Sequence, residues 1–186
     1  DFITKPISPV AVAARVRNHM ELKRSRDRLR DLTLLDGLTG IANRRRFDRQ
    51  IDLEWQRARR RKAPLSLILG DVDFFKRYND YYGHAQGDVC LRSVAHAFLR
   101  GLLRPADLVA RYGGEEFVCV LPDTDLQGAM EVAERIRSEL QERQMPHANS
   151  EVSPIVTVSL GVASEIPGEG NQLRQLLEAA DAKLYE

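Results

Sequence analysis

Three features place this chain in the α/β class, in the α+β arrangement of a single antiparallel sheet. A short apolar run at Leu65 to Leu69 ends at Gly70-Asp71 and is followed by helical periodicity from Phe74. Two further strand patterns, Leu108 to Tyr112 and Glu116 to Leu121, are joined by the paired glycine Gly113-Gly114. A second helical segment then leads to a last strand at Ile155 to Ala163. Strand, helix, hairpin, helix, strand is the split βαβ order of a ferredoxin-like antiparallel sheet with flanking helices, here preceded by a helical stalk. In that topology the first and third strands are antiparallel neighbours. The end of one lies beside the start of the other, so Asp71 is expected to meet Glu115.

The opening residues, Asp1-Phe2-Ile3-Thr4-Lys5-Pro6, have the pattern of a strand end running into a Lys-Pro turn, with a helix from about Pro9. From Val10 to about Leu35 the pattern is helical and heavily charged, with Leu22, Ser25, Leu29 and Leu32 on one seam. That seam suits either a short coiled coil weakened by its serine or a solvated linker helix. Asp36-Gly37-Leu38-Thr39-Gly40 breaks it. Asn43 is an N-cap residue for the next helix, whose apolar face carries Phe47, Ile51 and Trp55 and which Pro64 ends. The run from Leu65 is continuously apolar, as suits a buried strand. The helical pattern from Phe74 is interrupted at Gly83 and resumes through Leu91, Val94, Ala95, Phe98 and Leu99. Gly113-Gly114 permits a tight hairpin with positive φ and leaves backbone open to a bulky ligand. Pro122-Asp123-Thr124-Asp125 starts a helix bearing Ala129, Val132, Ala133 and Ile136, and a final helix spans about Asn171 to Tyr185.

With 186 residues and 43% hydrophobic composition, the chain can bury one substantial core and carry a short appendage. A formal net charge of +1 does not suit a surface that coats nucleic acid. The basic clusters at Lys23 to Arg30, Arg44 to Arg46 and Arg57 to Lys62 have no interleaved aromatics on which bases could stack, so no nucleic-acid polymer is expected. Cys90 and Cys119 fit no metal or disulfide spacing and are expected to be small buried apolar residues in a reducing compartment. No window is apolar enough to span a bilayer and no signal peptide starts the sequence. The expectation is a cytoplasmic protein without a membrane partner.

The residues that carry chemistry gather at one end of the expected sheet. Asp71 stands at the exposed carboxyl end of a buried strand, next to a helix start whose free amides can hold phosphate. Glu115 and Glu116 stand at the mouth of the glycine turn. Carboxylate oxygens so placed suit a hard cation such as Mg²⁺, which gathers phosphate oxygens. Asp71, Glu115 and Glu116 can share one or two such ions over a nucleoside triphosphate. Taken alone, the aspartates could cap the helix and Gly-Gly-Glu-Glu could be a polar hairpin. Asn79 and Asp88 flank the Gly83-His84 bend, which can bring both to one pocket. An aspartate there accepts from the N1 and N2 donors of guanine, whereas adenine would leave it unpaired. His84 reads as a turn residue.

These residues resemble the GGDEF family of diguanylate cyclases. The matching motifs are Asp36-x-Leu38-Thr39-Gly40-x-x-Asn43-Arg44-Arg45, Asp71-x-Asp73-x-Phe75-Lys76-x-x-Asn79-Asp80, Gly83-His84-x-x-Gly87-Asp88 and Arg111-Tyr112-Gly113-Gly114-Glu115-Glu116-Phe117. They lie in the family's order over nearly all of residues 36–186. The opening Lys-Pro resembles the end of a receiver domain, so the whole resembles a response-regulator cyclase of the WspR type. On that resemblance, residues 1–20 are the C-terminal remnant of a receiver, 21–35 a helical linker able to form a short coiled coil, and 36–186 the catalytic domain.

The resemblance implies condensation of two GTP into cyclic di-GMP with loss of two pyrophosphates. It implies a homodimer or higher homo-oligomer, each protomer holding one GTP, and an upstream receiver domain in a two-component signalling protein. It implies a divalent cation, Mg²⁺ or alternatively Mn²⁺, held by Asp71, the Val72 carbonyl and Glu115. Phe74, Phe75 and Lys76 approach the phosphates, and Asn79 and Asp88 read guanine. Glu116 assists the metal or deprotonates the attacking 3′-hydroxyl, so that Asp71, Glu115 and Glu116 form the catalytic set. A product-inhibition site falls at Arg104 and Asp107, joined by Arg135 and by Arg57 from a partner protomer. Arginine fits guanine O6 and N7, and aspartate fits N1 and N2. Family members usually continue past the tyrosine of the last helix with Ala-Lys and then an arginine. Here the sequence ends at Tyr185-Glu186, short of the usual helix end and tail. A non-catalytic receptor for GTP or cyclic di-GMP, using the same pocket or the inhibitory site, is the alternative.

Overall fold

The computed structural model describes residues 15–17, 20 and 34–184. Its contacts divide the chain into residues 1–34 and 35–186. In the first unit residues 15–17 and 20 are helical. The Lys-Pro opening and the seam of Leu22, Ser25, Leu29 and Leu32 lie outside the described residues, as does Tyr185.

In the second unit, a turn at Asp36 to Thr39 leads into a two-residue strand, β1 (Ala42–Asn43), and directly into α1 (Arg44–Arg61). Asn43 caps α1 as its side-chain oxygen accepts from the Arg46 amide at 3.0 Å. Lys62 adopts the left-handed conformation at the C-terminus, so the helix ends before Pro64. The remaining elements are β2 (Leu65–Val72), α2 (Phe75–Tyr82), α3 (His84–Gly101), β3 (Leu108–Gly113), β4 (Glu116–Pro122), α4 (Leu126–Gln141), β5 (Val158–Glu165) and α5 (Leu173–Leu184).

The five strands are ordered β1-β3-β4-β2-β5, with β1 parallel to β3 and every other pair antiparallel. This is the expected split βαβ sheet with one short strand added at its edge. That strand is too brief to leave a periodic pattern in the sequence. The central strand β2 is paired along its length on both sides. It is also covered on both faces, because Ile68 and Val72 pack with α3 and α4 residues such as Val94, Phe98 and Ile136. Leu65 and Leu67 pack with Phe47, Ile51 and Trp55 of α1 and Leu176 of α5. A continuous apolar run is what such a position requires, since each fully buried Leu or Ile contributes about 1.5–3 kcal/mol.

Three local expectations need correction. Neither Gly113 nor Gly114 has positive φ; among the described glycines only Gly40, Gly83 and Gly170 do. The hairpin instead shifts register between Arg111, which faces Phe117, and Gly113, which faces Glu116. An irregularity of that kind bends and twists the strand locally, so the hairpin closes without left-handed residues. The last strand starts at Val158, and Ile155 makes only an isolated bridge with Pro146. The helix after β2 starts at Phe75, because Phe74 is left-handed and turns the chain. Both cysteines are buried as expected. Burial pushes the Cys90 thiol up to about 12 and that of Cys119 further still. No helix among the described residues is long and apolar enough to cross a membrane.

Candidate active site

The pairing of β2 with β4 sets Asp71 directly opposite Glu116, with Glu115 in the turn just before it. The acids of the motif therefore meet at one end of the sheet. Burial, and then the charges of Glu115, Glu116 and Asp73, push the Asp71 carboxyl up to about 6. No ion pair among the described residues involves Asp71, Glu115 or Glu116. Like charges gathered without a counter-charge favour a cation. No three His, Cys, Asp or Glu side chains among the described residues stand close enough to cage an ion by themselves. That donor set fits Mg²⁺ or Mn²⁺ shared with a ligand, since Mg²⁺ typically takes one or two carboxylates and completes its shell with water and phosphate oxygens. Val72 ends β2, buried and opposite Val158, beside these acids. A Cβ on Gly113 would come within 2.8 Å of Glu116 Oε2, whereas one on Gly114 would meet nothing within 4 Å. The first glycine makes room for the carboxylate and the second leaves open space.

The loop that follows β2 is held from β5. Asp73 accepts the Thr157 hydroxyl at 2.5 Å and the Ser159 hydroxyl at 2.6 Å, one on each carboxylate oxygen, and its amide donates to the Thr157 carbonyl at 3.1 Å. Asp73 is thereby a tie between strands rather than an open metal ligand. Phe74 sits at φ 53°, ψ 30°, a conformation that costs a non-glycine residue about 1–2 kcal/mol. Its carbonyl accepts from the Tyr78 amide at 3.1 Å and faces His147 Nε2 at 3.3 Å. The Arg77 guanidinium lies 4.9 Å over the Phe74 ring and pairs with Glu151 at 2.6 Å. No side chain caps α2. The first amides of that helix, at Phe75 and Lys76, are open donors beside Asp71. Phe75 is itself buried, so its backbone is what it can offer a phosphate; the Lys76 side chain is exposed.

Gly83, at φ 82°, breaks the helical run into α2 and α3. A Cβ on Gly87 would lie 1.8 Å from Asn79 Oδ1. Only glycine there admits the Asn79 side chain, which thus rests against the first turn of α3, one residue from the exposed Asp88. His84 is exposed at the start of α3.

A second polar group lies at the opposite end of the sheet, where β3 begins and β4 ends. Arg104 Nη1 donates to the Thr124 hydroxyl at 3.2 Å, and the Asp107 amide donates to the Arg104 carbonyl at 3.1 Å. Burial pushes the Asp107 carboxyl up, against a backbone hydrogen bond at Arg104 and the charges of Arg104 and Arg135. Asp107 Oδ1 is buried without a partner. Arg135 donates to the Gly101 carbonyl at 3.1 Å and lines a groove of about 480 Å³ with Arg100, Leu103 and Glu131. Arg57 is not joined to this group within the chain. It pairs with the buried Glu54 of its own helix at 2.6 Å, and Glu54 also accepts from Gln50 at 2.7 Å.

Three arrangements were not read from the sequence. Arg111 donates to the Gly114 carbonyl at 2.8 Å and reaches Asp36 at 3.3 Å, tying the first turn of the unit to the acidic hairpin. Both residues belong to the quoted motifs, but nothing in the spacing pairs them. His147 has no motif around it at all. The only trace of the Asp73 tie is the spacing of two hydroxyl residues, Thr157 just before β5 and Ser159 within it.

Residues 33–186 match the family model described as "Diguanylate cyclase, GGDEF domain". Response regulator PleD of Caulobacter vibrioides is 40% identical over 193 residues, which cover 100% of this chain and 42% of PleD. The chain thus spans well under half the length of that relative. Among solved structures, the coiled coil and GGDEF domain of DgcB from Caulobacter crescentus, in complex with c-di-GMP, aligns with a TM-score of 0.74 at 32% identity. That alignment covers 95% of this chain and 91% of the other. The active GGEEF domain of a diguanylate cyclase from Vibrio cholerae aligns with a TM-score of 0.66 at 32% identity, over 78% of this chain and 89% of the other.

Proposed function

Since the chain belongs to the GGDEF family of diguanylate cyclases, we propose that it condenses two GTP molecules into cyclic di-GMP and two pyrophosphates. The observation that carries this reading is the meeting of Asp71, Glu115 and Glu116 beside the uncapped start of α2. The charges around Asp71 are all negative, and no side chain caps the helix start. A triphosphate with its divalent ion suits both. Asp71, the Val72 carbonyl and Glu115 hold the ion, with Glu116 beside them. Held there, such an ion would supply charge neutralisation to the phosphates and activation of the 3′-hydroxyl. The amides of Phe75 and Lys76 orient the phosphates, with the Lys76 ammonium adding charge. Asn79 and Asp88 accept and donate along the guanine edge, which sets the choice of GTP over ATP.

Each protomer holds one GTP and the product needs two reciprocal attacks, so the working unit is a homodimer or larger assembly with facing sites. The group of Arg104, Asp107 and Arg135 takes the product back as an inhibitor, with Arg57 supplied by the partner protomer. DgcB was solved with c-di-GMP bound, which supports such a ligand here. PleD is a response regulator, which supports an upstream receiver domain and a cytoplasmic setting. The test is incubation with GTP and Mg²⁺, with chromatographic detection of cyclic di-GMP and pyrophosphate. Product formation that needs the metal and is absent with ATP is expected. Tight GTP binding without turnover would instead favour the receptor reading.

A further inference from the structure

His147 is 1% exposed, while His84 and His96, the other described histidines outside the first unit, are exposed. It lies in the loop between α4 and β5, which is tied across itself by the His147 amide on the Pro154 carbonyl and the Val156 amide on the Met145 carbonyl, each 2.8 Å. The ring stands edge-on to Tyr78 with centroids 5.2 Å apart. Its Nε2 lies 3.3 Å from the Phe74 carbonyl oxygen. A carbonyl only accepts, so Nε2 carries the proton. Nδ1, buried and without a partner, is then the bare nitrogen.

Phe74 is the residue whose left-handed backbone turns β2 into α2. The residue before it, Asp73, is fixed by Thr157 and Ser159, and the residue three positions on, Arg77, by Glu151. Residues 147–159 thus grip the loop at several points, and His147 is the grip on its strained centre. We propose that His147 is a positioning residue for the triphosphate: by donating from Nε2 to the Phe74 carbonyl it holds the left-handed turn that aims the Phe75 and Lys76 amides past Asp71. The assignment rests on the reading of Asp71 to Lys76 as the phosphate site. A side chain that merely filled the core would support the base pocket and the phosphate loop alike. A side chain that holds the Phe74 turn affects the phosphates selectively.

GTP and GMP, each with Mg²⁺, are titrated against the parent chain, His147→Leu and His147→Gln, with thermal midpoints measured alongside. Long-range ¹H–¹⁵N correlation spectra of the parent report which ring nitrogen is protonated. The expected result is a proton on Nε2 and none on Nδ1, with a loss of about tenfold in GTP affinity for His147→Leu and GMP changed by about twofold or less. His147→Gln, whose amide nitrogen can occupy the Nε2 position, recovers most of the GTP affinity. Parallel losses for GTP and GMP, or a glutamine variant as weak as the leucine, overturn the proposal. So does a proton on Nδ1, a result that does not depend on any variant folding. A parent that binds GTP no better than GMP sinks the reading of Asp71 to Lys76 as the phosphate site and takes the His147 assignment with it. A nucleotide-selective parent with an unaffected leucine variant overturns His147 alone.

Discussion

Asp71 and Asp107 are both half-buried carboxylates near strand ends, one at each end of the sheet, and burial pushes the pKa of both upward. Their surroundings differ in sign. Around Asp71 every neighbouring charge, from Glu115, Glu116 and Asp73, adds to the effect of burial. Around Asp107 a backbone hydrogen bond and two arginines oppose it, and one carboxylate oxygen is left without a partner. The first site has no positive charge beside it and suits a cation. The second already has positive charge and suits the ligand proposed for it, one that both donates and accepts hydrogen bonds as a guanine edge does. A perturbed aspartate is therefore informative only together with the sign of what perturbs it.

Neutralising the acidic end of the sheet should have the largest effect. Asp71→Asn and Glu115→Gln should each lower the rate of cyclic di-GMP formation by about 10²–10³-fold. Because both are proposed to serve one ion, the double variant should be little worse than either single one. Initial rates at saturating GTP and Mg²⁺ measure this. Losses that multiply would mean that the two acids act independently.

Asp88→Ala comes next, with an expected loss of about 2 kcal/mol in GTP binding and a narrower margin over ATP. It asks whether the active-site end also carries a carboxylate that recognises a base. Unchanged discrimination in a titration with both nucleotides would move the base pocket elsewhere. Arg104→Ala addresses the other end. The basal rate should stay within about twofold of the parent while the cyclic di-GMP concentration needed for half inhibition rises about tenfold. A variant as inhibitable as the parent would leave Asp107 and Arg135 without a ligand to explain them.

The architecture was legible because β2 is buried on both faces and α1, α3 and α4 each on one. Burial of that kind writes unbroken or periodic apolar patterns into the sequence, as at Leu65 to Leu69 and at Leu91, Val94, Ala95 and Phe98. The meeting of Asp71 with the hairpin acids followed from antiparallel pairing alone. Local backbone states were less legible. A glycine pair allows positive φ without requiring it, and at Gly113 the constraint is space for Glu116 rather than torsion. Phe74 carries a left-handed backbone that its own identity disfavours, so only its partners His147 and Tyr78 reveal how it is held. Those partners come from distant or helical segments with no motif of their own. The link from Arg111 to Asp36 joins two quoted motifs 75 residues apart, and nothing in their spacing pairs them.

The smallest expected effect is on stability, and it separates the two carboxylates with no ligand present. Folded Asp71 titrates at about 6, above the value of about 3.9 for an unfolded chain. The folded state therefore holds that proton more tightly, and the contribution to stability is full below about pH 4 and is lost as pH rises through about 6. At neutral pH the ionised acid among its like-charged neighbours is a liability. The full shift would correspond to about 3 kcal/mol, but solvent reaches this half-buried group, and about 1 kcal/mol is the expected size after screening. Asp71→Asn should thus raise the thermal midpoint at pH 7 in chelator by about 2–4 °C. The gain should shrink as the pH falls and disappear by about pH 3, where the parent is protonated in both states. Asp107→Asn should gain less at pH 7, since the arginines that oppose its shift lose their partner. Calorimetry of the parent and both variants at the two pH values decides this. Equal gains from the two substitutions would show that the sheet's ends do not differ in sign, and the contrast drawn between them would not stand.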